Sequence, residues 1–219
     1  QTVISKYTGN LNSTSIIPHG LKNKFINVWK KRTEINNPIS ITYVSNASYY
    51  KHHINVLKAV KEIYKKGIDV KLNLIGANVG AASDILQKAI KIEDAENYVR
   101  TTKFMNVNEI VDELKSADIG VFASSCENMP NTLVEMMGSG IPVACSNRGP
   151  MLEVLGTNNF TFNPFKSNEI FNVLMDMINN YENAKLHGQI CSETSKKFSW
   201  LKCSQDTFKN ISKFDKYLN

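Results

Sequence analysis

The sequence predicts an α/β protein built on a doubly wound parallel sheet, and two observations lead there. From Ile39 onward, apolar runs rich in β-branched residues alternate with segments of helical periodicity. That alternation is the pattern of crossover connections between parallel strands, which lay helices over both faces of the sheet. Between Ser124 and Pro150, a polar loop and a helix start follow directly behind an apolar run.

Taken in order, strands are expected at Ile39 to Val44, Val70 to Ile75, Tyr98 to Phe104, Asp118 to Ala123, Pro142 to Cys145 and Phe160 to Phe162. Helices fill the gaps at His53 to Lys66, Ala82 to Ala95, Val107 to Ser116, Pro130 to Met137, Pro150 to Leu155 and Ser167 to Tyr181. Their stops include Gly67 after Lys65-Lys66 and Gly138 after Met136-Met137. Phe198-Ser199-Trp200 introduces an amphipathic helix, Leu201 to Ser212, and no element is assigned between Tyr181 and Phe198. The stretch through Asn37 fits the sheet pattern less well, and Asn36-Asn37-Pro38 reads as a linker.

Composition narrows the class. A content of 42% hydrophobic and 21% charged residues describes a globular chain and excludes fibrous or disordered ones. No apolar run approaches the roughly 20 residues that span a bilayer. The start, Gln1-Thr2-Val3, shows no signal pattern, and without an initiator methionine the chain is read as a trimmed piece. Cys126, Cys145, Cys191 and Cys203 have neither Cys-x-x-Cys nor His-partnered spacing, so they are read as reduced thiols of a cytoplasmic protein, with zinc unexpected. The net charge of +6 suits an anionic nucleotide or an anionic membrane surface. The lysines are dispersed on helices (Lys58, Lys61, Lys65, Lys66) and do not form the aromatic-laced strip of a single-strand binder, so no nucleic acid is expected.

The chemistry concentrates behind the fourth strand. The first turn of a helix at Pro130 leaves backbone N–H groups unpaired at the positive end of the helix dipole, a setting for a diphosphate. Glu127 precedes that turn in the loop at the carboxyl edge of the sheet, where open α/β sheets bind ligands, and Glu135 lies at least a turn into the helix. One carboxylate can face a sugar and the other can accept from ribose hydroxyls.

These residues carry a family resemblance. Glu-Asn-Met-Pro-Asn-Thr-Leu-Val-Glu (Glu127 to Glu135) followed by Met-Met-Gly-Ser-Gly-Ile-Pro-Val, and then Asn147-Arg148-Gly149-Pro150 leading to Glu153-Val154, resembles the Glu-x7-Glu signature of group 1 (family 4) retaining glycosyltransferases of GT-B fold. The resemblance implies that the chain is one Rossmann-like half of a GT-B fold, the half that binds a nucleotide-diphosphate sugar. It implies a segment 1–37 from the end of the acceptor-side domain plus a linker, with Ile16-Ile17-Pro18-His19-Gly20 like the family's Pro-Asn-Gly turn. A donor domain 38–198 and a terminal crossing segment 199–219 follow.

By the same resemblance, Glu127 is the catalytic candidate, contacting sugar hydroxyls and supporting the transition state. Lys51 is the phosphate lysine. Asn131, Thr132 and Leu133 offer amides, Glu135 accepts from the ribose, and the base lies near Lys103, Phe104 and Met105 and near Gly76-Ala77-Asn78. Phe104 is open to two readings, core residue or stacking platform. The family's arginine, five or six residues before the lysine, is replaced by Asn46 or Ser45, and Arg148 is the candidate substitute.

Other signals do not assemble. Gly138-Ser139-Gly140 ends a helix instead of opening one, Gly76 to Gly80 has the wrong spacing for a dinucleotide loop, and the four histidines form no triad. No Asp-x-Asp occurs, so donor binding without metal or other cofactor is expected. The implied partners are the nucleotide sugar, a missing acceptor domain without which this chain is expected to be inactive, and the inner membrane face as a peripheral contact. The expected role is building a surface polysaccharide or glycolipid. A GT-B epimerase or phosphorylase, and a degenerate sugar-nucleotide sensor, are the competing readings.

Overall fold

The computed structural model describes residues 15–30 and 32–214. Six strands, β1 Ile39–Val44, β2 Val70–Ile75, β3 Val99–Thr101, β4 Ile119–Phe122, β5 Val143–Ser146 and β6 Thr161–Phe162, form one sheet in the order β3-β2-β1-β4-β5-β6. Every pairing is parallel, and β1 runs alongside β2 from Ile39 opposite Val70 to Val44 opposite Ile75. The helices are α1 His53–Lys65, α2 Ser83–Ile92, α3 Val107–Ser116, α4 Asn131–Ser139, α5 Met151–Leu155, α6 Ser167–Asn179, α7 Tyr181–Ser195 and α8 Trp200–Phe214. In one layer α1 packs on α2 and α6; in another α4 packs on α3 and α7. Covered on both sides, β4 and β5 are buried along their full length, which is why their sequences read as continuous apolar runs.

The expected doubly wound sheet is therefore the observed one, with shifts at its margins. The third strand stops at Thr101, so Lys103 and Phe104 leave the sheet at its edge, and Phe104 is 74% exposed, not part of the core. Helix α2 ends before Ala95 because Asp94 turns the chain at φ 50. Helix α3 has a full capping box: Asn106 Oδ1 accepts from the amides of Asn108 and Glu109, and Glu109 accepts from the Asn106 amide.

Gly138 does not stop α4, which runs to Ser139 and closes on Gly140 at φ 87. Gly138 is interior because Leu21 packs onto it: a Cβ there would lie 2.4 Å from Leu21 Cδ2. The element absent from the sequence reading is α7. Its buried side carries Lys185, His187, Gly188, Ser192 and Ser195 among its residues, a composition with no apolar stripe to announce a helix. Gly188 permits it, since a Cβ there would meet Gly140 O at 2.7 Å and the Ile141 and Pro142 backbone at 3.0 Å.

Residues 15–30 and 32–38 lie along the sheet domain. Leu21 N donates to Phe198 O, Asn27 N to Gly138 O and Trp29 N to Ser139 O. The fully buried Asp118 gathers this segment. Its carboxylate accepts from Arg32 Nη1 at 3.0 Å, from Asn36 Nδ2 at 3.1 Å and from the Ser40 amide at 2.8 Å. Next to it, Trp29 Nε1 donates to Ala117 O at 2.8 Å, and the buried Lys185 donates to Arg32 O at 2.9 Å. Among the described residues, no helix is long and apolar enough to cross a membrane.

Removing a buried carboxylate strands its partners, so Asp118→Ala is expected to destabilise the protein by about 3–5 kcal/mol in urea unfolding. Gly188→Ala forces backbone apart and should cost about 1–3 kcal/mol, more than Gly138→Ala, where only the tip of Leu21 must move. Burial holds the imidazoles of His53 and His187 down to about 4, against an ordinary 6.5. Both are therefore neutral in the fold but protonate in the unfolded chain, so stability present above pH 6.5 should decline as pH falls from 6.5 toward 4. Urea midpoints measured across that window should fall less steeply in His53→Phe and His187→Phe.

Candidate functional site

The winding reverses between β1 and β4: the chain goes from β1 to β2 and β3 on one side, then crosses over to β4 on the other. Open α/β sheets take ligands in the crevice at the carboxyl ends of the strands that flank such a reversal. From β1 the chain passes Ser45 to Ser48 into a short 3-10 turn, Tyr49–Lys51. Ala47 is held down by donating to Val79 O at 2.7 Å, which ties this loop to the one after β2. Gly80, at φ 119, is required there: a Cβ would lie 2.1 Å from Ala47 O.

Lys51 ends the turn, and Tyr43 Oη reaches up from β1 to donate to its carbonyl at 3.0 Å. Although a lysine, Lys51 is only 9% exposed. Its ammonium makes a short, charged hydrogen bond to Glu127 Oε1 and lies 5.4 Å from the ring centres of Tyr50 and Phe122. A nearly buried ammonium needs such a partner, since its desolvation is otherwise uncompensated. Glu127 arrives from the other side of the crevice, three residues after the buried Ser124 that follows β4.

Helix α4 opens just behind. Pro130 is buried at its cap, where a missing N–H costs little. The Asn131 amide is used locally, donating to Met129 O at 2.9 Å. The amides of Thr132 and Leu133 have no backbone acceptor among the described residues, so they are the donors that this helix mouth presents. Asn131 instead uses its side chain, with Oδ1 3.1 Å from His19 Nδ1, while the His19 ring stacks on Trp200 at 5.5 Å. One turn on, Glu135 faces Lys22 Nζ at 3.6 Å. Burial raises the Glu135 carboxyl above its ordinary value, and the Lys22 ammonium works against that rise.

The structure thus brings Lys51, Glu127 and the first turn of α4 together, with Glu127 on the β1 side of the helix mouth and Glu135 on the side of residues 15–25. It does not bring in the other candidates. Lys103 and Phe104 lie exposed beyond β3, two strands from β1, and Met105 is half-buried after them. Ser45 Oγ turns back to Asn46 O, so no cation stands at those positions. Arg148 sits after β5 with its guanidinium 5.9 Å above the Phe165 ring. Phe165 in turn meets the His52 ring edge-on at 4.6 Å, so two rings stand between Arg148 and the backbone next to Lys51.

Two contributors, Lys22 and Phe165, carry no signal in the sequence, and Ser125, two residues before Glu127, reads there as strand-end packing. Among the described residues, no three of His, Cys, Asp and Glu gather as a metal site would require.

The sequence matches the family described as Glycosyl transferases group 1 over residues 25–193. Protein CapJ of Staphylococcus aureus is 23% identical over 122 residues, which cover 55% of this chain and 31% of CapJ. The structure of Anabaena HepE in complex with UDP and glucose superposes with a TM-score of 0.81 at 21% identity, covering 96% of this chain and 60% of HepE. Sucrose-phosphate synthase from Thermosynechococcus elongatus gives a TM-score of 0.79 at 16% identity, covering 93% of this chain and 53% of the synthase. The chain thus spans from 31% to 60% of the length of these proteins. The shared architecture identifies the sheet domain as one Rossmann-like half of a GT-B fold, and the match over residues 25–193 makes this chain a member of the group 1 glycosyltransferases.

Proposed function

We propose that this chain is the donor-binding half of a family 4, retaining glycosyltransferase that takes a sugar from a nucleotide diphosphate. The observation that carries the reading is the Lys51–Glu127 pair set against the open amides of Thr132 and Leu133 at the winding reversal. When the donor docks, its diphosphate takes over the Lys51 ammonium and the two amides, and Glu127 is released to accept from sugar hydroxyls. Cleaving the sugar–phosphate bond develops charge on the departing diphosphate, and donors already in place stabilise it without reorganisation. Glu135, relieved of Lys22, accepts from the ribose 2′ and 3′ hydroxyls. No metal takes part in this reading. HepE has been solved with UDP and glucose and with UDP-glucose, which makes a uridine donor the first choice.

The facing acceptor domain lies outside this chain in this proposal, with residues 1–37 as its end and linker, 38–198 as the donor domain and 199–219 as the segment crossing back. Residues 1–14 of that layout fall outside the described residues. The acceptor is a glycan or lipid-linked glycan of a surface polysaccharide or glycolipid pathway, at the cytoplasmic side of the membrane. A second reading has one specific observation behind it. With Ser45 and Asn46 uncharged and two rings between Arg148 and the backbone next to Lys51, the phosphate site is short of cations, as in a module that binds sugar nucleotides without turning them over.

Calorimetric titration with UDP, GDP and their sugars tests both. Each charged hydrogen bond is worth about 1.5–3 kcal/mol, so Lys51→Ala should weaken UDP or GDP binding roughly tenfold or more while sparing the nucleoside. Glu135→Ala should weaken binding of nucleoside and nucleotide alike, whereas Glu127→Ala should chiefly lower turnover of the two-domain protein. Binding of none of these nucleotides would defeat the proposal, and binding without turnover in the two-domain protein would establish the sensor.

A further inference from the structure

Lys51 and Glu127 stand on loops from different strands, and besides their own pairing those loops are joined by Ser125, which meets Tyr50 O and the His52 side chain. We propose that His52 is a positioning residue that clamps the loop after β1 to the loop after β4 through Ser125, holding Lys51 and Glu127 in register. The inference rests on reading that pair as the donor site. His52 adopts φ 51 and ψ 33, a left-handed conformation unfavourable for a residue with a Cβ, and one that at a crevice invites a functional explanation. Although it occupies the cap position of α1, its side chain makes no capping hydrogen bond to that helix.

The imidazole reaches across the crevice instead. His52 Nε2 lies 2.8 Å from Ser125 Oγ. Ser125 donates its amide to Tyr50 O at 2.8 Å and directs its hydroxyl at the same carbonyl at 3.4 Å. The imidazole and the Ser125 hydroxyl are thus hydrogen-bonded, with the tautomer of His52 setting which of them donates. The residues clamped are the immediate neighbours of the functional pair: Tyr50 and His52 flank Lys51, and Ser125 is two residues from Glu127. Phe165, from the loop after β6, closes on the ring edge-on at 4.6 Å and 68°. The imidazole therefore has one hydrogen bond and one aromatic contact, both to other loops.

Three substitutions of His52 separate the side chain from the turn. Glycine accepts the left-handed backbone and deletes the imidazole; asparagine also tolerates that backbone, but its amide falls short of the Nε2 position; glutamine places its amide there. His52→Gly and Ser125→Ala are expected to weaken binding of UDP or GDP, whichever binds the wild type, about five- to tenfold, the worth of one hydrogen bond. They should also speed hydrogen exchange of the residue 125 amide. His52→Gln should recover both properties and His52→Asn neither. Unchanged exchange and affinity in His52→Gly, or rescue by asparagine equal to that by glutamine, would overturn the clamp. If the wild type binds neither nucleotide while exchange at residue 125 follows the predicted order, the clamp stands and the nucleotide reading falls.

Discussion

Everything at the candidate site depends on the side-by-side pairing of β1 and β4, joined in register at Ile41 with Ile119 and Thr42 with Gly120. Parallel neighbours end at the same edge of the sheet, and the winding reverses between these two, so the loops that follow them meet there instead of being linked by a helix crossover. A lysine more than seventy residues upstream of a glutamate is thereby delivered to hydrogen-bonding distance. Without the reversal, a helix crossover would fill the gap and both side chains would face solvent.

The candidate site is held together by charge. Lys51 is nearly buried and satisfied by Glu127, while the half-buried Glu135 is answered by Lys22. Each acid thus has a cation as its partner, and no buried charge is left alone. Residues 15–30 and 32–38 are part of this arrangement and more than a tether. Through Asp118 they are bound to the start of β4, and through His19, Leu21 and Lys22 they reach Asn131, Gly138 and Glu135 of α4. Movement of that segment would be felt at Glu135 and Asn131 directly.

Much of the fold was legible in local pattern. Strands β1, β2 and β4 carry apolar runs that admit few other states, and α3 announces itself through the Asn106-x-x-Glu109 capping box. Gly138 misled because glycine has two uses: it can end a helix by taking positive φ, or admit a close neighbour within one, and only Leu21 decides which. Helix α7 was invisible because its buried side is made of polar and small residues whose partners, Arg32, Asn27 and the Gly140–Pro142 backbone, are remote in sequence.

The same division holds for the site. Glu127, Glu135, Lys51 and the start of α4 could be named as candidates from the chain, the acids and the helix start because they share one short stretch and Lys51 through its place in the resemblance. Asp118 looked like the first residue of a strand, Arg148 like a spare phosphate cation, and Lys22 and Phe165 like nothing in particular. Their roles are properties of pairs, fixed by which loops the sheet order places side by side. Local sequence determined the elements and the chemical inventory because backbone preference and apolar periodicity act over a few residues. The tertiary structure alone decided which charges meet, because that depends on contacts between segments as far apart as Lys51 and Glu127 or Arg32 and Asp118.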